Sequence, residues 1–384
     1  MTEGSDQFFA NDEPARAAMI VRDAKNLARQ WVIEEAGNIP GVHGAFFHGS
    51  TNWLAEDDPL PATSDVDVMV VVEDDPLPIK LGKFRYRDVI LEVSDLPRDH
   101  LQSPATVLGR YDLAGSLRAP SVILDPTGEL TSLQAAVTTD YAKRCWVYKR
   151  CEDAQDRVLR NLQSVSAPVP FHDQVIAWLF ATGVTTHILL VAGLKNPTVR
   201  RRYVTVHALL VDYGLSDFYE TLLALLGCAR MCRARVEHYL AALADAFDTA
   251  KSVIKSPFFF ASDISDLARP IAIDGTREFI AQGHHREAVF WLVATYARCQ
   301  KVLAHDAPTE TYHRCDAGFR HLLADLGITS FADLQQRGEQ VGASLPRVWE
   351  TAEAIIAANP EIDGEGRYDG NSAGEDATGV RSAR

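Results

Sequence analysis

The feature that most constrains this chain is the run Val66-Asp67-Val68-Met69-Val70-Val71-Val72, with a second aspartate, Asp65, immediately before it. A stretch this short and this rich in valine reads as a strand, and its near continuity predicts cover on both faces. Side chains alternate along a strand, so Asp65 and Asp67 fall on the same face. Two carboxylates held that close repel unless something cationic sits between them. A hard divalent cation suits such oxygen ligands, and Mg²⁺ typically takes one or two carboxylates together with substrate phosphates. The fold therefore has to bury the valines and keep the aspartate end open.

The surrounding pattern supplies the rest of a small sheet. Ala45 to His48, Phe84 to Val93 and Ser121 to Leu124 read as further strands, with a helical stretch over Pro104 to Leu117. The tetrad Asp125-Pro126-Thr127-Gly128 has turn composition. Upstream, Asn11-Asp12-Glu13-Pro14 reads as a helix start. Met19, Ile20, Ala24, Leu27, Ala28, Trp31 and Val32 then recur at helical spacing up to Gly37. From Thr131 to about Pro360 nearly everything reads as helix, over 131–162, 170–194, 198–213, 216–226, 229–254, 273–282, 284–304, 312–325, 330–340 and 344–358. Residues 1–10 and the Gly-, Ser- and Asp-rich tail 362–384 are expected to be disordered. The predicted class is α+β: a small mixed-sheet α/β domain over 11–130, followed by an all-helical domain over 131–361 that would carry the substrate pocket.

Composition narrows the function. The chain has 384 residues and a net charge of −14. Residues 1–135 carry 22 acidic against 11 basic side chains, and residues 136–384 carry 30 against 27. Such a chain repels the phosphate backbone, which argues against nucleic acid as a partner and favours cationic ones. The most apolar stretch, Val175 to Leu194, is interrupted by Thr182, Thr185, Thr186 and His187, so no membrane span is expected. The polar, acidic start resembles neither a signal nor a transit peptide, and a cytoplasmic location is expected. The cysteines, Cys145, Cys151, Cys228, Cys232, Cys299 and Cys315, form no Cys-x-x-Cys pair and read as reduced thiols in helices.

A second motif precedes the valine run. In His48-Gly49-Ser50-Thr51 a Gly-Ser turn leaves a hydrophobic strand and enters a short helical stretch. Such a turn brings backbone N–H groups and a hydroxyl close to a phosphate. A third acid is expected from a neighbouring strand. In Asp88-Val89-Ile90-Leu91-Glu92-Val93, Glu92 is preferred, because an acid flanked by Leu91 and Val93 is costly unless paired or metal-bound. Asp88 lies nearer the strand's start and is expected to be solvated. His48 reads as an orienting residue.

Taken together, the Ala45–Phe47 strand, Gly49-Ser50, Asp65-x-Asp67 and Glu92 resemble the nucleotidyltransferase superfamily of DNA polymerase beta type, and within it the aminoglycoside (kanamycin and streptomycin adenylyltransferase-like) enzymes. The resemblance covers roughly residues 40 to 130. The spacer Thr51 to Ser64 is slightly longer than usual, through the acidic loop Glu56-Asp57-Asp58-Pro59-Leu60-Pro61, and the third acid is Glu rather than Asp. The resemblance implies transfer of a nucleoside monophosphate, AMP from ATP being the first expectation, to a small-molecule hydroxyl, with release of pyrophosphate. It implies two Mg²⁺ ions on Asp65, Asp67 and Glu92, triphosphate held by Gly49, Ser50 and Thr51, and Glu92 as second-metal ligand or proton acceptor.

The helical half offers weaker candidates. Lys195 to Tyr203 is a basic cluster at a helix start, where cations oppose the macrodipole, so Arg201 and Arg202 are candidate triphosphate ligands. A solvated basic face is the alternative. Glu287 and Trp291 lie four apart on one helical face and are candidate acceptor-site residues, with paired core packing as the alternative. Two rival functions remain open: a protein-AMPylating enzyme of antitoxin type, and a catalytically silent nucleotide-binding module.

Overall fold

The computed structural model describes residues 19–61, 63–73 and 81–363. The expected helix start at Asn11–Pro14 and most of both expected disordered ends lie outside the described residues. Helix α1 (Val21–Glu34) buries Val21, Ala24, Ala28, Trp31 and Val32, which recur at helical spacing. Strand β1 (Val42–His48) runs out of it, and the Gly-Ser turn leads into a single 3-10 turn, Ser50–Trp53. Strand β2 (Val66–Val72) has the predicted bounds.

The predicted strand over Phe84–Val93 is instead a hairpin, β3 (Gly82–Tyr86) and β4 (Val89–Pro97). Tyr86 pairs with Val89 across a two-residue turn in which Arg87 takes φ 52°. Asp88 sits exposed in that turn. The left-handed conformation of a non-glycine residue is what hid the turn, since no Gly or Asn marks it. The helical stretch Pro104–Leu117 is likewise two short helices, α2 (Pro104–Leu108) and α3 (Ala114–Leu117), separated at Gly109. Strand β5 (Val122–Leu124) ends in the expected turn, with Gly128 at φ 77°.

The sheet order is β3-β4-β2-β1-β5, with β2 and β4 parallel and every other pairing antiparallel. One face carries Ala45, Phe47, Val66, Val68, Val70, Leu91 and Val93 and packs on α1. The other carries Phe46, Val71 and Leu96 and packs on Leu108, Leu113, Leu117 and Val137. Cover on both faces holds only for the second half of β2. In the first half Asp67 and Met69, half-buried, alternate with buried valines, Met69 lying against the edge of the second layer.

The helices continue with α4 (Glu129–Asp140), α5 (Arg144–Val165), α6 (Phe171–Ala192), α7 (Arg202–Asp212), α8 (Asp217–Leu226) and α9 (Arg233–Val253). After a π turn at Pro270–Asp274 come α10 (Gly275–Ala281), α11 (His285–Asp306), α12 (Thr309–Asp325) and α13 (Phe331–Ala358). The span predicted as one helix over 131–162 breaks between α4 and α5. The two predicted over 330–358 are one, because Pro346 interrupts only a single backbone bond of a helix packed along α5 and α6. Among the described residues one helix, α6, is long and apolar enough to cross a membrane, and 83% of its most apolar window is buried inside the protein. Cys228 and Cys232 lie in the α8–α9 connection rather than within a helix; all six cysteines are unpaired.

Candidate metal and nucleotide site

Strand register builds the site. His48 of β1 faces Asp67 of β2, Asp67 faces Glu92 of β4, and Glu92 faces Lys83 of β3. Four polar side chains thus form one row across four strands, on a single face of the sheet. Asp65, two residues before Asp67, joins the same face. Ligand oxygens of Asp65, Asp67 and Glu92 all lie within 4.8 Å of one another, a spacing that could hold a metal ion. All three predicted acids therefore meet.

The cation the sequence argument required is already supplied in part. Lys83 Nζ lies 3.0 Å from Asp65, contacts Glu92 directly, and lies 3.4 Å from Asp263. Asp263 comes from a 3-10 turn (Ala261–Asp263) of the helical half and is held on its other oxygen by Arg298 of α11, at 2.7 Å. Burial alone would lower the Lys83 ammonium; the carboxylates of Asp65, Glu92 and Asp263 outweigh it and hold the group well above its ordinary value. Burial, then the charges of Asp65 and Glu92, pushes the Asp67 carboxyl well up. Burial raises Glu92 too, against the opposing pull of Lys83. Among the described residues Lys83 and Arg298 are the cations in contact with this group of carboxylates, and Arg200 lies in the field of Asp65.

Gly49 closes the site from the β1 side. Its φ of 66° and ψ of −154° belong to a region essentially reserved for glycine. A Cβ there would stand 1.9 Å from Asp67 Oδ2. The turn is thus pressed onto the carboxylate, with room for nothing larger than hydrogen. Ser50 is exposed at the mouth, whereas Thr51 is fully buried with its hydroxyl unpartnered. His48 donates to or accepts from Ser116 Oγ at 2.6 Å, and burial lowers its imidazole; it braces α3 against the strand end. The long spacer is docked on α1: Arg22 pairs with Glu56 and Asp57, and Val21 N–H donates to Asp58 O at 3.0 Å.

The helical candidates are placed differently. Arg202 is buried, its guanidinium 3.9 Å from the Phe290 ring centroid and its Nε donating to Val199 O. Burial lowers it to about 10, so it stays charged, and one of its terminal nitrogens has no partner. Arg201 is exposed over Phe279. The member of the basic cluster that reaches toward the triad is Arg200, which donates to Thr63 O and Ile271 O and lies in the field of Asp65. Glu287 is buried and accepts from Tyr219 Oη at 2.5 Å, so it is a paired core acid and not an open base. Trp291 is half-buried, and the Arg298 guanidinium lies 5.7 Å from its ring, which links it through Arg298 and Asp263 to Lys83. A cavity of about 730 Å³ lies at the other end of the strands, lined by His43, Glu73, Arg98 and Glu129, and contains none of the triad.

Sequence pattern does not single out Lys83 or Asp263, and within the basic cluster it points to Arg201 and Arg202 rather than Arg200. Lys83 sits in an unremarkable Lys-Phe-Arg-Tyr alternation, and its pairing with Glu92 needs the hairpin that Arg87 concealed. Asp263 lies 180 residues further along the chain, and no local pattern points from it to the strands. Neither a scan against protein-family models nor a search of curated proteins returned a match.

Proposed function

We propose that this protein is a metal-dependent nucleotidyltransferase that moves a nucleoside monophosphate, AMP from ATP as the first candidate, to a hydroxyl of a small molecule. The observation that carries the reading is the convergence of Asp65, Asp67 and Glu92 within 4.8 Å beside a Gly49 turn that admits no side chain. The donor set is hard oxygen, which suits Mg²⁺. When bound, the metal would neutralise charge on the attacking and leaving oxygens of an in-line displacement at the α-phosphorus.

The residues of the chain have separable parts in this reading. Asp65 and Asp67 would hold the metal, and the cost of ionising Asp67 in its half-buried position is relieved by the cation it binds. The exposed Ser50 and the backbone N–H groups after Gly49 would hold the terminal phosphates. With only one 3-10 turn behind them there is no macrodipole to draw on, so individual N–H groups carry that contact. Glu92, with its raised carboxyl, is suited to accept the acceptor's hydroxyl proton as the oxygen bonds to phosphorus and the bond to pyrophosphate breaks. The acidic character of the chain, net −14, suits a cationic acceptor such as an aminosugar, a step that rests on the resemblance to aminoglycoside nucleotidyltransferases.

One observation favours a second reading. Lys83 bridges Asp65 and Glu92, and a lysine that stayed there would oppose metal loading and leave a nucleotide-binding module without turnover. Pyrophosphate release with Mg²⁺, each NTP and a panel of aminosugars and small polyols separates the two. Acceptor-dependent release that disappears in an Asp65→Asn/Asp67→Asn variant supports the transferase. Tight nucleotide binding with no release from any acceptor supports the silent module.

A further inference from the structure

The position of Lys83 goes beyond charge balance. Its ammonium contacts oxygens of Asp65 and Glu92, two of the three groups that form the candidate metal site. A divalent ion held among these carboxylates and an ammonium held on two of them repel each other and compete for the same negative charge. Lys83 is largely buried, with 9% of its side chain exposed. Among the described residues its other ion-pair partner is Asp263, whose nearer oxygen is 3.4 Å away. Asp263 is in turn fixed by Arg298, which lies against the Phe260 and Trp291 rings.

The backbone holds this arrangement together. Gly82, immediately before Lys83, takes φ 57°, and a Cβ on it would stand 2.5 Å from Ser262 Oγ. The start of β3 is therefore pressed against the turn that carries Asp263. Lys83 and its third carboxylate, Asp263, are kept adjacent by main-chain packing and not by their attraction alone.

We infer that Lys83 is a built-in counter-ion that occupies the site when no divalent cation is bound, and that metal loading moves its ammonium from Asp65 and Glu92 onto Asp263. Lys83 and Asp263 are positioning residues in this scheme, acting on cation affinity and not on the reacting atoms. The scheme also ties the helical half to the sheet in a loading-dependent way, since Lys83 makes its closest contact with the strands in one state and with Asp263 in the other. The inference rests on the metal-site reading above.

The test is Mn²⁺ binding, used as a metal probe without nucleotide and measured by calorimetry on the full chain, with a thermal melt on every variant. Lys83→Met is expected to bind Mn²⁺ roughly tenfold or more tightly than the unaltered protein, because a competing charge is gone. Lys83→Gln, which keeps the polar contacts without the charge, serves the same comparison if Lys83→Met fails to fold, and Lys83→Arg is expected to bind as weakly as the unaltered protein. Asp263→Asn is expected to weaken Mn²⁺ binding when Lys83 is present and to have no effect in the Lys83→Met background. Equal or weaker binding by folded Lys83→Met or Lys83→Gln overturns the inference. Equal weakening by Asp263→Asn in both backgrounds makes Asp263 a metal ligand and overturns the transfer of Lys83. Mn²⁺ binding that survives Asp65→Asn/Asp67→Asn instead refutes the metal-site reading itself, so the two failures are distinguishable.

Discussion

Gly49→Ala is the sharpest single perturbation of this site. Two separate costs can be read from the geometry. The first is backbone: φ 66° with ψ −154° is a conformation that an L-residue adopts only at about 1–3 kcal/mol. The second is contact: the new methyl would stand 1.9 Å from Asp67 Oδ2 and 2.6 Å from its Cγ. Overlaps of that size cost about 1–3 kcal/mol where the neighbour has to shift. Asp67 is a short side chain, so it can clear the methyl only by rotating its carboxylate out of the row it forms with Glu92. The expected result is a loss of roughly 2–6 kcal/mol together with loss of Mn²⁺ binding. Gly128→Ala is the control, because Gly128 also has positive φ, 77°, but nothing lies within 4 Å of its would-be Cβ. It is expected to cost only the left-handed strain, about 1–2 kcal/mol, and to bind Mn²⁺ normally. Thermal unfolding followed by circular dichroism, with calorimetric Mn²⁺ titration, reads both quantities. A Gly49→Ala protein as stable as Gly128→Ala and with unchanged Mn²⁺ affinity would refute the claim that the turn abuts the carboxylate.

Further outcomes follow from the same structure. Asp65→Asn/Asp67→Asn is expected to abolish both Mn²⁺ binding and acceptor-dependent pyrophosphate release while the protein remains folded; undiminished release would place the chemistry elsewhere. His187 is buried, its Nε2 3.0 Å from Thr198 O, and burial and then the charge of Arg202 hold its imidazole well below the ordinary value. The unfolded chain therefore takes up a proton near pH 6.5 that the folded chain refuses, and stability falls as pH drops through that range. His187→Gln should flatten the fall in melting temperature between pH 7 and 5, and an unchanged slope would rule out His187 as a source of it. Ser330 caps α13, accepting from the Asp333 N–H at 3.2 Å, while Asp333 accepts in return from the Ser330 N–H and is held down to about 2 by its bonds to Thr329 and Ser330. Ser330→Ala is expected to cost about 1 kcal/mol in a chemical denaturation curve, with no change in Mn²⁺ affinity.

Much of the site was legible because it is local. Alternation alone sets Asp65 and Asp67 on one face, since the period of a strand holds whatever the strand pairs with. The Gly-Ser turn is legible as a tight turn after a strand, read for its approach to a phosphate; that its glycine also clears the Asp67 carboxylate is a property of the fold. Glu92 followed from cost, because an acid between Leu91 and Val93 has to find a partner. The helical candidates were a different kind of inference. A basic cluster and an acid near an aromatic specify residue types but no direction, and both had an ordinary alternative. Arg202 turned inward to lie on Phe290, and Glu287 found Tyr219.

Local pattern was enough for the valine strand, for the change from strands to helices near residue 130, and for two aspartates and a tight turn at one strand end; it did not find the β3–β4 hairpin or the breaks and fusion among the helices. What else stands beside the two aspartates depends on how distant segments pack together. The β2–β4 pairing is parallel and the β3–β4 pairing depends on a left-handed Arg87, so the row His48, Asp67, Glu92, Lys83 is a property of register. Asp263 and Arg298 reach that row from the helical half through packing of Gly82 on Ser262. Periodicity reports which face a residue uses; it carries no information about which distant residue shares that face, because that is set by how the buried surfaces of the two halves fit together.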